Sequence, residues 1–274
     1  MEDLLELYQS YLSRRKSEKT VKVYVWVASK FVDYLRSRGV GVKDATLVDV
    51  ESFLSSFKAK DRSVALYSFA LASFLEFAGR SDLAKATPVT RYEVREPKWL
   101  EREKIMKLIE ECEDPIFKGL FWASYELALR VGEAVNLKWE DVDLENRIVY
   151  VTRLKKKKQQ KVAKPISREL ASFLAKLPRF CEYVFPAYGG RGYSDWHRMS
   201  ERMAEMVFKE VASRIGLGDC SFHVLRHSRA TEIAMKTGGD VVAVAKMTDH
   251  ENPSNVLIYC HIALQRLREI AETT

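Results

Sequence analysis

The chain is poor in cysteine. Its 274 residues hold four, Cys112, Cys181, Cys220 and Cys260, and none forms a CxxC pair. That excludes a zinc ribbon or a disulfide scaffold and leaves buried thiols in a reducing compartment as the plain reading. No stretch of apolar residues is long enough to span a bilayer, and Met1 is followed by acidic Glu2 and Asp3, so neither a membrane span nor a signal peptide is expected. GxGxxG, P-loop and HExxH patterns are all missing, which removes the dinucleotide-fold, NTPase and zincin classes. Hydrophobic residues make up 47% and charged residues 30%, a balance that excludes a disordered chain. The expectation is a soluble, cytoplasmic protein with two domains.

A modest basic excess is present. Lys and Arg number 45 against 38 Asp and Glu, giving a net charge of +7, which points to a polyanionic partner. Residues 1–92 carry +4 of it and the remainder +3, so both halves are equipped to touch the same partner.

The first 90 residues read as consecutive helices. Leu4, Leu5, Tyr8, Tyr11 and Leu12 share one helical face between Glu2 and Arg14. Ser17 is a candidate N-cap for a second helix with the stripe Tyr24, Val27, Phe31, Tyr34 and Leu35, ended by Gly39 and Gly41. A third helix after Thr46 carries Val50, Phe53, Leu54 and Phe57. A fourth, over 63–78, places Leu66, Phe69, Ala70, Ser73 and Phe77 on one side. The stretch TPVTRYEVREPK, residues 87–98, has two prolines, mixed charge and no periodicity, and reads as a linker. The expected domains are therefore 1–86, a helical unit, and 99–274, joined by 87–98.

Beyond Leu100 helical periodicity returns. Residues 140–143 read as a turn, Arg147–Arg153 and Lys161–Ile166 as two strands around the polar turn KKKKQQ, and 168–176, 195–215, 223–236, 240–247 and 262–272 as helices. The fold class expected is mainly α with a small antiparallel β-sheet.

Three clusters stand out. Arg130 lies in the apolar run ALRVGEAVNL, where an unpaired arginine is costly; it is either an ion pair with Glu133 or a donor aimed at a phosphate. HVLRH places His223 and Arg226 on one helical face near a helix start, where backbone N–H groups also favour an anion; the plain alternative is a surface pair. In HENPSNVLIYCH, Tyr259 follows His250 by nine residues and by itself reads as a core aromatic.

The order and spacing of these clusters resemble the tyrosine recombinase/integrase family: an arginine, a hairpin lysine, H-x-x-R, a histidine, and a tyrosine nine residues later. HVLRH with Ala230 and Thr231 resembles the family's second box, Tyr259-Cys260-His261 its Y-x-H ending, and Ser17-x-x-Thr20-x-x-x-Tyr24 its N-terminal core-binding domain. Two positions depart from the family. Ala128 stands where it prefers glycine, and Thr248-Asp249 replaces its Leu-Gly before the third-box histidine. The resemblance implies a SAM-like helical bundle followed by a mixed α/β catalytic domain that closes around double-stranded DNA.

It also implies the chemistry. Tyr259 would attack a phosphodiester to give a covalent 3′-phosphotyrosine and a free 5′-hydroxyl, with no metal or other cofactor. Arg130 and Arg226 would clamp the phosphate, His250 would hydrogen-bond it, and His223 would accept the tyrosine proton or position the phosphate. Glu133 would orient Arg130. A lysine of the hairpin would protonate the leaving oxygen. Counting back from Pro165 selects Lys157; counting forward along the strand favours Lys155; the rest of Lys155–Lys158 would contact phosphates. The implied partners are a recombination site and other copies of the chain, as a homotetramer on two sites, with no membrane and no small-molecule substrate. The segment after Tyr259, with Ile262, Leu264, Leu267 and Ile270, is expected to bury its apolar face poorly on its own chain and to dock on a neighbouring protomer. A type IB topoisomerase and a non-catalytic DNA-binding module are the alternatives.

Overall fold

A computed structural model describes residues 2–59, 61–91, 96–153, 160–190, 194–249 and 252–273. The chain divides into two compact units, Met1–Arg95 and Glu96–Thr274.

The first unit is all helical: α1 (Glu2–Ser13), α2 (Glu18–Ser37), α3 (Leu47–Ser55), α4 (Asp61–Phe77) and α5 (Ser81–Ala86). Ser17 caps α2, its side chain accepting the Thr20 N–H and sharing a 2.9 Å hydrogen bond with the Thr20 hydroxyl. Thr46 and Asp49 close a reciprocal capping box on α3, an arrangement typically worth about 1 kcal/mol. The α2–α3 connection is pinned by Arg80, whose guanidinium donates to the carbonyls of Val42, Lys43 and Ala45. Tyr8, Leu12, Phe31, Leu35, Phe53, Leu71 and Phe74 fill the core. The α4 face differs from expectation. Ala65, Ala70, Leu71, Phe74 and Leu75 are buried, whereas Leu66 and Phe69 are 42% and 53% exposed. The helix is apolar around most of its circumference, so periodicity alone does not select the inward face.

The second unit opens with α6 (Arg102–Glu111), α7 (Pro115–Glu126) and the short α8 (Val131–Val135). Asp114 caps α7, accepting the N–H groups of Ile116 and Phe117, and Pro115 fits the first turn, where no amide donor is needed. Strands β1 (Val142–Asp143), β2 (Ile148–Thr152) and β3 (Lys161–Pro165) form an antiparallel sheet in that order, with Val149 opposite Lys164. The expected turn at 140–143 is thus a single 3-10 turn, Trp139–Asp141, leading into an edge strand. Helix α9 (Arg168–Ala175) follows. The continuous helix expected over 195–215 is instead β5 (Trp196–Arg198) paired with β4 (Pro186–Tyr188), then α10 (Glu201–Arg214) capped by Ser200. Stacking of Trp196 on Phe180 at 3.8 Å favours the extended segment over another helical turn.

Helices α11 (His223–Lys236), α12 (Val241–Thr248) and α13 (Leu257–Thr273) end the chain. Phe121, Phe208 and Phe222 pack edge to face and seat the start of α11 on the core. Tyr259 lies inside α13 rather than ahead of it. Ile262 and Ala263 are buried with Tyr259 and Cys260 on this chain's own core, so the expectation of a poorly buried segment is corrected for this half of the helix, while Leu264 is exposed. The side chains of Leu267 and Ile270 lie outside the described residues. All four cysteines are unpaired, and Cys112, Cys220 and Cys260 are buried.

Candidate active site

Arg130 sits where α7 has ended and α8 begins. Its guanidinium meets Glu133 at 2.8 Å, and its backbone N–H donates to the other oxygen of the same carboxylate at 2.8 Å. Glu133 is buried and also lies 3.9 Å from the Arg226 guanidinium. One buried carboxylate therefore meets both arginines, and of the two readings of Arg130 the ion pair with Glu133 is the one on view.

Arg226, on the first turns of α11, is 3% exposed. It donates to the backbone carbonyls of Ala128 and, at 2.6 Å, Thr248. Burial and Arg130 push it down to about 10, which leaves it charged at neutral pH. Lys164 runs alongside. This lysine, 6% exposed, donates to the carbonyls of Leu127 at 2.7 Å and Met247 at 2.9 Å. Burial first, then Arg226, depress it to about 8. Two buried cations thus bridge adjacent carbonyl pairs, 127–128 on one side and 247–248 on the other. They join the end of α7 to the end of α12. Lys164 was not among the residues that spacing singled out, although strand alternation puts it on the same face as Val162 and Ile166.

The two departures from the family's glycines fall in the same place. Ala128 has φ 51° and Asp249 φ 56°, both in the left-handed region that glycine occupies without strain. Each is held by its surroundings: the Ala128 carbonyl by Arg226, and Asp249 by a bidentate pair with Arg153 at the end of β2, one arm of it 2.7 Å long. That pair fastens the base of the β2–β3 hairpin to the segment preceding His250.

Tyr259 is 4% exposed. Its hydroxyl lies 2.8 Å from Nδ1 of His227. Burial raises the phenol above its ordinary range, while the nearby Arg226 and Arg130 draw it back down. His223 stands exposed at the first turn of α11, its ring 6.1 Å from that of His227. The structure therefore brings together Arg130, Glu133, Arg226, His223 and Tyr259. His227, which spacing had not separated from the rest of the HVLRH box, is the histidine in contact with the hydroxyl. Lys155, Lys156, Lys157, Lys158 and His250 lie outside the described residues. Among the described residues no cluster of His, Cys, Asp or Glu is arranged to hold a metal ion, and no helix is long and apolar enough to cross a membrane.

Residues 98–266 match the phage integrase family model, and residues 5–82 match the phage integrase N-terminal SAM-like domain. The chain belongs to the phage integrase family. This integrase is 28% identical to tyrosine recombinase XerA of Pyrococcus horikoshii over 98% of its own length and 93% of that protein. Tyrosine recombinase XerC of Oceanobacillus iheyensis is 27% identical over 98% of this chain and 94% of that one. In fold it is similar to a lambda integrase (75–356) dimer bound to a core site, at a TM-score of 0.73, 18% identity and 95% coverage of each chain. It is similar as well to XerH recombinase in a post-cleavage complex, at 0.70 and 20% identity, covering 92% of this chain and 78% of that one. It is a tyrosine recombinase, an enzyme that cuts and rejoins DNA, and the mainly helical fold with small antiparallel sheets is that of the integrases. The topoisomerase and bare DNA-binding alternatives are not favoured.

Proposed function

We propose that this integrase acts as a Xer-like enzyme on paired double-stranded DNA sites, in chromosome-dimer resolution or in integration and excision of a mobile element. Tyr259 is the nucleophile. Its oxygen forms a bond to phosphorus as the bond to the 5′-oxygen breaks, leaving a 3′-phosphotyrosine whose bond energy is kept for rejoining, so no ATP is consumed. Arg130 and Arg226 stabilise the charge that grows on the nonbridging oxygens, and Glu133 keeps the pair aligned. His223 and His250 hydrogen-bond the phosphate. Lys157, on the hairpin that Arg153 and Asp249 fasten to the site, protonates the leaving oxygen. Four copies assemble on two sites in the cytoplasm, and neither a membrane nor a small-molecule substrate takes part.

The observation that carries this reading is the convergence of a buried tyrosine hydroxyl with two arginines that share one buried carboxylate. A structural tyrosine needs no such pair of phosphate-binding cations beside it. The test is a nicked suicide duplex that traps the covalent species, followed by peptide mapping. DNA attached at Tyr259, absent in Tyr259→Phe, is the expected result. Attachment at another residue overturns the nucleophile, and no attachment overturns the enzymatic reading of this site.

A further inference from the structure

The geometry points to His227 as the catalytic residue that receives the proton of the Tyr259 hydroxyl, an inference that rests on Tyr259 being the nucleophile. A phenol is a poor nucleophile until its proton leaves, and that proton needs an acceptor within hydrogen-bond reach. Tyr259 is almost wholly buried, so bulk water does not serve it. Nδ1 of His227 lies 2.8 Å from the oxygen, and the two rings are held with centroids 5.9 Å apart. His227 is one helical turn beyond His223 on α11, deeper against α13. His223 stands exposed at the first turn of α11, its ring 6.1 Å from that of His227, and is open to a phosphate from solvent. The two histidines thereby divide two tasks that spacing alone assigns to one.

The charge state suits the task. Burial, then His223 and Arg226, bring His227 down to about 4, so its imidazole is neutral at pH 7 and able to accept. In the tautomer that accepts at Nδ1, the ring proton is on Nε2. On attack, the O–H bond of Tyr259 breaks and the proton passes to Nδ1. The phenolic oxygen bonds to phosphorus, the bond to the 5′-oxygen breaks, and the hairpin lysine protonates the leaving oxygen. The phosphodiester arrives as an anion beside Arg226 and Arg130, offsetting positive charge that otherwise opposes an imidazolium at His227. Rejoining runs the same steps backward: the incoming 5′-hydroxyl displaces the tyrosine, and His227 returns the proton.

The test measures single-turnover adduct formation on the suicide duplex by wild type, His227→Asn and His227→Gln. Asparagine keeps a hydrogen-bonding group near the Nδ1 position but cannot hold a proton. DNA affinity and the urea midpoint confirm that each variant is folded. The expected result is a loss of at least about a hundredfold in adduct rate for both variants with binding unchanged. The second arm places 3,5-difluorotyrosine at position 259, a more acidic phenol that depends less on a base. It should recover most of the loss in His227→Asn while changing wild type little. Near wild-type rates in a folded His227→Asn overturn the inference. So does a slow variant that the fluorinated tyrosine fails to rescue. Failure of wild type itself to form an adduct at Tyr259 would instead overturn the proposed function.

Discussion

Lys164 offers a quantitative test of how the site is held together. Its ammonium is buried and depressed to about 8, whereas an unfolded lysine titrates at 10.5. Below pH 8 both states hold the proton and stability does not depend on it. Between 8 and 10.5 the unfolded chain binds more protons than the folded one, so the free energy of unfolding rises with pH. Lys164→Met removes this titration, and the difference between wild type and variant cancels the groups that do not interact with it. That difference should move in favour of wild type by about 2 kcal/mol between pH 7 and 9.5 and by about 3 kcal/mol by pH 10.5. The variant also orphans the carbonyls of Leu127 and Met247, which shifts the whole difference curve without giving it a slope. The assay is urea unfolding of both proteins at pH values from 7 to 10.5. Parallel curves would refute the claim that a desolvated ammonium joins α7 to α12.

Ala128→Gly should raise stability by a few tenths to about 1 kcal/mol, because relief of a left-handed alanine exceeds the added freedom of the unfolded chain; a lower urea midpoint would contradict the φ of 51°. Arg153→Gln and Asp249→Asn should each slow adduct formation, and a double-mutant cycle on stability should give a coupling of about 1–3 kcal/mol; additive effects would mean that the pair does not fasten the hairpin. In the lysine run, Lys157→Ala should slow cleavage, whereas Lys155→Ala, Lys156→Ala and Lys158→Ala should mainly weaken DNA binding and flatten its salt dependence. A duplex with sulfur in place of the leaving 5′-oxygen should rescue only the general-acid variant, and rescue of Lys155→Ala instead would shift the assigned register by two. Deleting 262–274 should lower the unfolding midpoint, since it strips Ile262 and Ala263 from the core, whereas deleting only 266–274 should abolish synapsis while sparing single-site binding.

The sequence by itself determined the family and the kind of chemistry. Arg130, the HVLRH box and Tyr259 stood out by an order and spacing that resemble the family's, and the structure brings them together. Local elements were legible as well. Ser17 and Thr46 cap the helices they precede, and the alternation in RIVYVTR gives β2, because a cap or a strand depends on residues within one turn or one pleat. What required tertiary structure were the relations between elements distant in the chain. Helical periodicity puts His223 and His227 on one face; only the docking of α13 against α11 shows which of them meets the Tyr259 hydroxyl. Likewise, a lysine in a polar strand looks solvated until β3 packs across the ends of α7 and α12 and removes water from it. The sequence shows only that Ala128 and Asp249 stand where the family prefers glycine. Only the backbone revealed that Ala128 and Asp249 occupy left-handed turns, which stay in place because Arg226 and Arg153, brought from elsewhere in the fold, hold them there.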